Sequence, residues 1–414
     1  MLTLLLSGLL AVIPIAAVPE LVEDPAPADT TVSAPSLFGM AKALLGFMST
    51  QATSAEDSTA INILQQAVGA LEAGDRDGAI APFKEAAAQS LSDAASEAGL
   101  STEPALPAGT DTSLVARVNP ATFFLNIPAA NYSGIAPLEI KGLEGDFLLI
   151  DDKSATEGFR KVHFTFDNNG QITVAQDLGF IAASTGATST DGEGIVFDIR
   201  RRTVLMAREA TNEIMEFGLD GRATGRYLHT ASYFPKNGNA GIESLSYNTE
   251  NGRFWATTEG YAEGANQLRI QSYAPYFWPL GHWFYTLDKP AFKTKGAIYA
   301  YGVSEICALP DGSLLVLERE ANIPGTSVKE AAGAVVKCKL YRVEPAKTKA
   351  GKTLEKHLVT TIDTRALDLS FANYEGMCLG PVLPDGTRVL ILVSDSQAGY
   401  KGILRDWFKT IVLK

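Results

Sequence analysis

The 414-residue sequence predicts an all-β fold: a β-propeller with five visible repeat modules, hence five or six blades, behind an α-helical N-terminal preface. Three observations predict it. A short block reading Glu/Ser, Gly/Ser, apolar opens an alternating strand five times between residue 133 and the C-terminus. Each opening leads through a turn into a second strand whose end is rich in acidic residues. The last copy stops one strand short, while a strand with no other partner precedes the first copy. A strand-pair repeat of about 40–70 residues is the signature of a propeller or array and not of one continuous sheet.

From the N-terminus, residues 1–17 (MLTLLLSGLLAVIPIAA) form an apolar stretch broken by Pro14. It is too short to span a bilayer. Ala16 and Ala17 before Val18-Pro19 resemble a cleavage region, although the early Lys or Arg of a signal peptide is missing. The expected address is therefore secreted, periplasmic or cell-surface. Residues 18–35 read as a Pro/Ala/Thr-rich linker. Residues 36–100 are Ala-rich with apolar positions at helical spacing, interrupted at Gly74-Asp75. Part of this preface looks like one tetratricopeptide hairpin, but a single hairpin cannot bury its own face. A helical hairpin packed on the propeller, or a loosely ordered pro-region, is the expectation. Residues 101–112 are a second linker, and 113–414 form the propeller.

The openings are Ser133-Gly134-Ile135, Glu193-Gly194-Ile195, Glu243-Ser244-Leu245, Ser304-Glu305-Ile306 and Glu375-Gly376-Met377. The matching endings are Asp151-Asp152, Glu209, Glu259, Glu318-Arg319-Glu320 and Ser394-Asp395. Asn251-Gly252, Asp311-Gly312 and Asp385-Gly386 between them are hairpin turn pairs that tolerate positive φ. Second hairpins follow in the first two copies, turning at Asn169-Gly170 and Asp220-Gly221. Four strands per copy make a blade. After Asp395 only Phe408–Leu413 remains, so residues 113–125 are expected to supply the missing outer strand and close the ring. The longer third and fourth copies leave room for a sixth blade.

Hairpin geometry brings each opening beside its ending. Because the first strand of a blade lines the axis, acidic side chains should crowd one mouth of the channel. Glu193, Glu243, Glu305 and Glu375 are expected to hold equivalent places there, joined by Asp151, Glu259 and Asp395. Such an oxygen-rich set suits calcium, which can hold a phosphate or ester oxygen and acidify a bound water. Lys153, Arg208 and Arg319 sit beside the acidic endings, placed to meet an anionic substrate. Glu193, Glu375 and Arg319 are the expected catalytic residues. The same charges could instead be ion pairs that stitch blades together.

Net charge is −12 and pI about 5.0, which argues against nucleic-acid binding. No nucleophile elbow, zinc-binding helix or phosphate-cradling Gly loop occurs. The four histidines (His163, His229, His282, His357) are scattered, and two of them fall on strand patterns. Cys307, Cys338 and Cys378 match no zinc spacing, and their odd number precludes full pairing. Buried core thiols are expected, with a disulfide from Cys338 as an alternative. Asn131-Tyr132-Ser133 carries a glycosylation signal, but at an inner-strand start.

The strings NYSGI (131–135), DGEGI (191–195), GIESL (241–245), VSEICALPDGSLLVLERE (303–320) and NYEGMCLGPVLPDGTRVLILVSDS (373–396) resemble the phytase-like family, described as "esterase-like activity of phytase". The resemblance spans most of about 280 residues from Asn131 onward. It implies a β-propeller and a metal-dependent hydrolase acting on a small phosphate or carboxylic ester. A non-catalytic propeller that binds a ligand or partner at the same mouth is the alternative, because propellers host both.

Overall fold

A computed structural model of the chain describes residues 65–66, 68–69, 106–188, 191–230, 234, 241–325, 330, 332–366, 370–399 and 404–414. The chain divides into two units, 1–104 and 105–414. Of the first, residues 65–66 and 68–69 are described, and they are helical. The expected signal peptide, the first linker and the remainder of the helical preface lie outside the described residues. No helix among the described residues is long and apolar enough to cross a membrane.

Residues 105–414 form a propeller of five blades, each a four-stranded antiparallel sheet. The first blade comprises β2 (Tyr132–Lys141), β3 (Glu144–Asp151), β4 (Gly158–Phe166) and β5 (Ile172–Ala182). The second comprises β6 (Gly192–Asp198), β7 (Thr203–Arg208), β8 (Glu213–Gly218) and β9 (Ala223–His229). The third holds β10 (Ile242–Tyr247), β11 (Phe254–Thr258), β12 (Leu268–Ala274) and β13 (Trp278–Tyr285). The fourth holds β14 (Ile298–Ala308), β15 (Leu314–Ile323), β16 (Val335–Val343) and β17 (Lys356–Arg365). The fifth is β18 (Asn373–Val382), β19 (Arg388–Asp395) and β20 (Phe408–Leu413), completed by β1 (Val115–Val118).

There is no sixth blade among the described residues. The extra length of the fourth copy goes into strands of 9 to 11 residues. The closing strand is where the sequence places it: Val115 pairs Leu413, Val118 pairs Ile411, and Thr122 bridges Phe408. Phe124, farther along the closing segment, packs 6.0 Å from Phe408 and 6.5 Å from Phe164 of the first blade.

The core is divided into five apolar clusters, each joining two neighbouring blades. Strand alternation explains how uninterrupted apolar runs serve two clusters at once. In β15, Leu315 and Leu317 face the fifth blade while Leu314 and Val316 face the third. In β19, Leu390 and Leu392 face the fourth blade, and Val389, Ile391 and Val393 face the first. The expected turn glycines hold left-handed backbone, with φ of +72° at Gly252, +87° at Gly312 and +86° at Gly386.

The small residue in the opening block has a steric cause. A Cβ on Gly194 would stand 2.5 Å from the Leu245 nitrogen, and one on Gly376 2.9 Å from the Gly134 Cα, so inner strands of neighbouring blades touch backbone to backbone. Gly376→Val is therefore expected to destabilise the propeller by about 3 kcal/mol or more, because backbone cannot yield as a side chain does. Chemical denaturation of that variant beside Gly264→Val, where a Cβ meets open space though φ is positive, checks whether proximity is the cause.

Candidate functional site

The inner strand of every blade carries a β-bulge at its opening. The pairing slips between Tyr132 and Gly134, Gly192 and Ile195, Ile242 and Ser244, Val303 and Glu305, and Tyr374 and Gly376. A bulge frees one residue from the ladder and re-aims its side chain. The freed positions include Ser133, Glu193, Glu243, Ser304 and Glu375. Glu193, Glu243 and Glu375 come from three blades, yet each feels the charge of another, so they converge at one mouth.

Glu305 also feels the Glu193 charge, but it does not hold the equivalent place. It stands one residue past the bulge, in the place held by Gly134, Ser244 and Gly376 in other copies, and Leu317 is its partner. Its carboxylate accepts a hydrogen bond from the Ile306 backbone N–H at 2.9 Å and is wholly buried. The expectation of four equivalent glutamates is corrected to three, with Glu305 set apart by a one-residue difference in register.

The hairpin ends arrive as expected. Tyr132 pairs Asp151, Asn373 pairs Asp395, and Gly302 pairs Arg319. Alternation sorts the Glu318-Arg319-Glu320 run. Arg319 turns into the mouth, donating to Glu375 at 2.5 Å, to the Asn373 side-chain oxygen at 3.1 Å, and to Glu259. Glu318 and Glu320 point away: Glu318 accepts from Tyr285 at 2.7 Å and Lys356 at 2.5 Å, and Glu320 from Tyr299 at 2.8 Å. Arg208 is also turned from the mouth, in a buried two-pronged ion pair with Glu157 at 2.5 Å. Lys153 is the solvent-facing cation, its side chain 56% exposed, between Asp152 at 2.6 Å and Asp191 at 2.9 Å.

The charges of the mouth are frustrated. Burial, reinforced by neighbouring carboxylates, drives the Glu193 and Glu243 carboxyls far above their ordinary range. Burial and the Asp395 charge push Glu375 up to about 8 against the pull of Arg319. Asp152 is pushed up to about 6 by burial despite Lys153, and burial also raises Asp151 and Asp395. Among the described residues, Glu193 and Glu243 accept no hydrogen bond from the protein. The buried oxygens Asp152 Oδ1 and Asn131 Oδ1 have no partner either.

Asn131 and Asn373 are mouth residues that the repeat pattern did not single out. The signal was there: NYSG and NYEG put an Asn two residues before each bulge. Asn131 is buried, so its glycosylation signal has no access to solvent. The histidines lie on outer strands, with His163 on Asp146 at 2.8 Å and His229 on Glu213 at 2.8 Å. All three cysteines are free and buried, and the alternative of a Cys338 disulfide is not realised.

The family described as phytase-like, esterase-like activity of phytase, matches residues 127–397. The chain belongs to this family. The match begins at the first blade and ends just past Asp395, so both rows of mouth residues lie within it. A comparison with curated proteins finds no match. Among solved structures, the chain is similar to a mutant α-L-arabinofuranosidase from Fusarium graminearum, at 9% identity and TM-score 0.39, over 72% of this chain and 98% of that one. It is similar to a periplasmic gluconolactonase of Pseudomonas aeruginosa, at 12% identity and TM-score 0.29, over 61% and 79%. It is also similar to hydrazine synthase of Kuenenia stuttgartiensis, at 9% identity and TM-score 0.32, over 65% of this chain. The chain spans 58% of the hydrazine synthase chain's length.

Proposed function

We propose that this phytase-like propeller is an exported hydrolase of phosphate or carboxylic esters, with calcium at the acidic mouth. The observation that carries the reading is the pair Glu193 and Glu243. Two buried carboxylates from different blades face each other's charge with no donor from the protein. Protons or a cation relieve such an arrangement most directly.

The donor chemistry suits calcium, a hard ion that takes oxygen ligands. Glu193, Glu243 and Asp152, with the partnerless Asn131 Oδ1, are the residues that would hold it; Glu259 and Glu375 are engaged by Arg319. As the side chains stand, no three Asp, Glu, His or Cys among the described residues gather closely enough to share one ion. Binding an ion would therefore require these side chains to move together. Bound calcium would polarise the ester oxygen and acidify a water.

The chain's own groups supply the rest. Glu375 takes both of its hydrogen bonds, from Arg319 and from Asn373 at 2.7 Å, on Oε1. Oε2 is left to carry the proton that its raised affinity retains near neutral pH, ready for delivery to a leaving alkoxide. Arg319 commits both terminal nitrogens to Glu375, Asn373 and Glu259, its Nε being buried without a partner, and acts as a positioning residue. Lys153, at the rim, meets the anionic end of a substrate. Arg208 belongs to the scaffold.

Calcium is expected to raise the melting temperature of the full chain by mass action. Glu193→Gln and Glu243→Gln should abolish that shift, and Glu193→Gln should abolish hydrolysis with it. Turnover of p-nitrophenyl phosphate, p-nitrophenyl acetate and phytate, with calcium and with chelator, tests the reading. A calcium shift without hydrolysis of any ester would favour the second reading, a binding propeller, for which the commitment of Arg319 to Glu259 and Glu375 speaks. Lys153→Met should leave the melting temperature within about 2 °C, since an exposed ion pair contributes about 0–1 kcal/mol. It should raise KM for phosphate esters more than it lowers kcat; an unchanged KM would remove Lys153 from the substrate.

A further inference from the structure

The opposite mouth of the channel has a different chemistry. Where the inner strands end, a cavity of about 490 Å³ opens on the axis, within the range of about 300–1,000 Å³ typical of small-molecule sites. Its wall includes Ile135, Ile195, Leu245, Met377, Cys307 and Cys378, drawn from all five blades. None of the acidic-mouth residues lines it.

Arg388, the first residue of β19, is a half-buried cation of this cavity and donates to the Gly380 carbonyl at 3.3 Å. No carboxylate pairs with it among the described residues. Of the other rim charges, Lys161 pairs with Asp146 at 2.7 Å and Glu139 with Lys141 at 2.8 Å, while Arg202 is exposed to solvent and, like Arg388, pairs with no carboxylate among the described residues. Glu250 also lines the cavity and is the acid that acts on Arg388 from a distance. A half-buried guanidinium in a cavity of mixed lining, apolar toward the axis and polar at the rim, favours a planar anion that can take two parallel hydrogen bonds. Glu250 disfavours a second negative charge on that anion.

The geometry points to a second binding site, for an amphiphilic monocarboxylate whose tail fills the axial cavity and whose head is held by Arg388. It is independent of the chemistry proposed for the acidic mouth. The site lies at the far end of the same axis, so its occupant would leave the acidic mouth accessible.

The test is isothermal titration of the full chain with decanoate, decanol and decyl phosphate below their micellar concentrations. Decanoate should bind more tightly than either. Arg388→Gln should weaken decanoate by roughly tenfold or more while leaving decanol unchanged, the effect of losing hydrogen bonds to a charged group. Glu250→Gln should tighten decanoate and narrow its advantage over decyl phosphate, a readout that survives if Arg388→Gln fails to fold. Glu193→Gln, at the opposite mouth, should bind decanoate as the parent chain does. Equal binding of decanol and decanoate, or decanoate affinity untouched by both Arg388→Gln and Glu250→Gln, would overturn the assignment. So would loss of decanoate binding in Glu193→Gln, which would move the ligand to the acidic mouth.

Discussion

Removing residues 1–124 is expected to abolish the cooperative thermal transition of the propeller, whereas removing residues 1–104 leaves it in place. The shorter deletion ends at the boundary of the propeller unit. The longer one takes β1 and everything that leans on it. Val115 is fully buried, Leu106, Leu114 and Val118 pack against the cluster between the fourth and fifth blades, and Phe124 packs against the cluster between the fifth and first. Burying a large aliphatic or aromatic side chain contributes about 1.5–3 kcal/mol. One such group and four partly buried ones together supply a large part of the stability of an ordinary domain, about 5–15 kcal/mol. The edge of β20 would also be left bare, an invitation to pair with another chain. Circular dichroism melts of both truncated chains check this, and a sharp transition in the longer deletion within a few degrees of the shorter would refute the role of β1 as the ring's clasp.

Arg319→Met is expected to lower the melting temperature by roughly 10 °C at pH 8, and by less at pH 5. Its guanidinium is 5% exposed and joins Glu259 of the third blade to Glu375 of the fifth. Removing one member of a buried ion pair costs about 3–5 kcal/mol, and in a domain of this size each kcal/mol moves the midpoint by roughly 2–4 °C. The sign of the pH effect follows from Glu375. With its native pKa at about 8, above the roughly 4.3 of an unfolded Glu, the folded state binds the extra proton. Stability therefore falls as pH rises between those values. Without Arg319 the carboxyl moves higher still and the loss deepens, while near pH 5 the proton neutralises Glu375 and removes its share of the penalty, leaving that of Glu259. Hydrolysis should fall as well, since Glu375 loses the partner that orients it. Melts across pH 5–8 in chelator decide the matter: a penalty that is constant with pH would mean Arg319 acts by packing alone.

Much of this was legible in the sequence because it rests on local chemistry. The Asn-Gly and Asp-Gly turns fix hairpins by backbone conformation, and a hairpin fixes which residues stand side by side. The orphan strand at 113–125 could be assigned because the last copy visibly lacked one. Alternation also sorts Glu318-Arg319-Glu320, once the strand is known to line up with Gly302 and Val303. What escaped depends on register or on partners from distant segments. Glu305 stands in the glycine place of its opening block, Ser304-Glu305-Ile306, and the pairing of Val303 with Glu318 and of Glu305 with Leu317 shows what that offset does to the register. The capture of Arg208 by Glu157 joins two blades across a sequence gap that no local pattern spans. Blade number was open because strand lengthening and an added blade consume residues alike.

The clasp also has a consequence in time. Its strand is among the first parts of the propeller to leave the ribosome, and its partner β20 is the last. At about 5–20 residues per second, roughly 300 residues of synthesis separate them by about 15–60 s. Throughout that interval Leu114, Val115 and Val118 have no sheet to join, and four finished blades stand as an open arc. The nascent chain therefore needs its early apolar segment kept from false partners until β20 emerges, and a chain cut before Phe408 would leave every blade but one complete and the molecule still unable to shut.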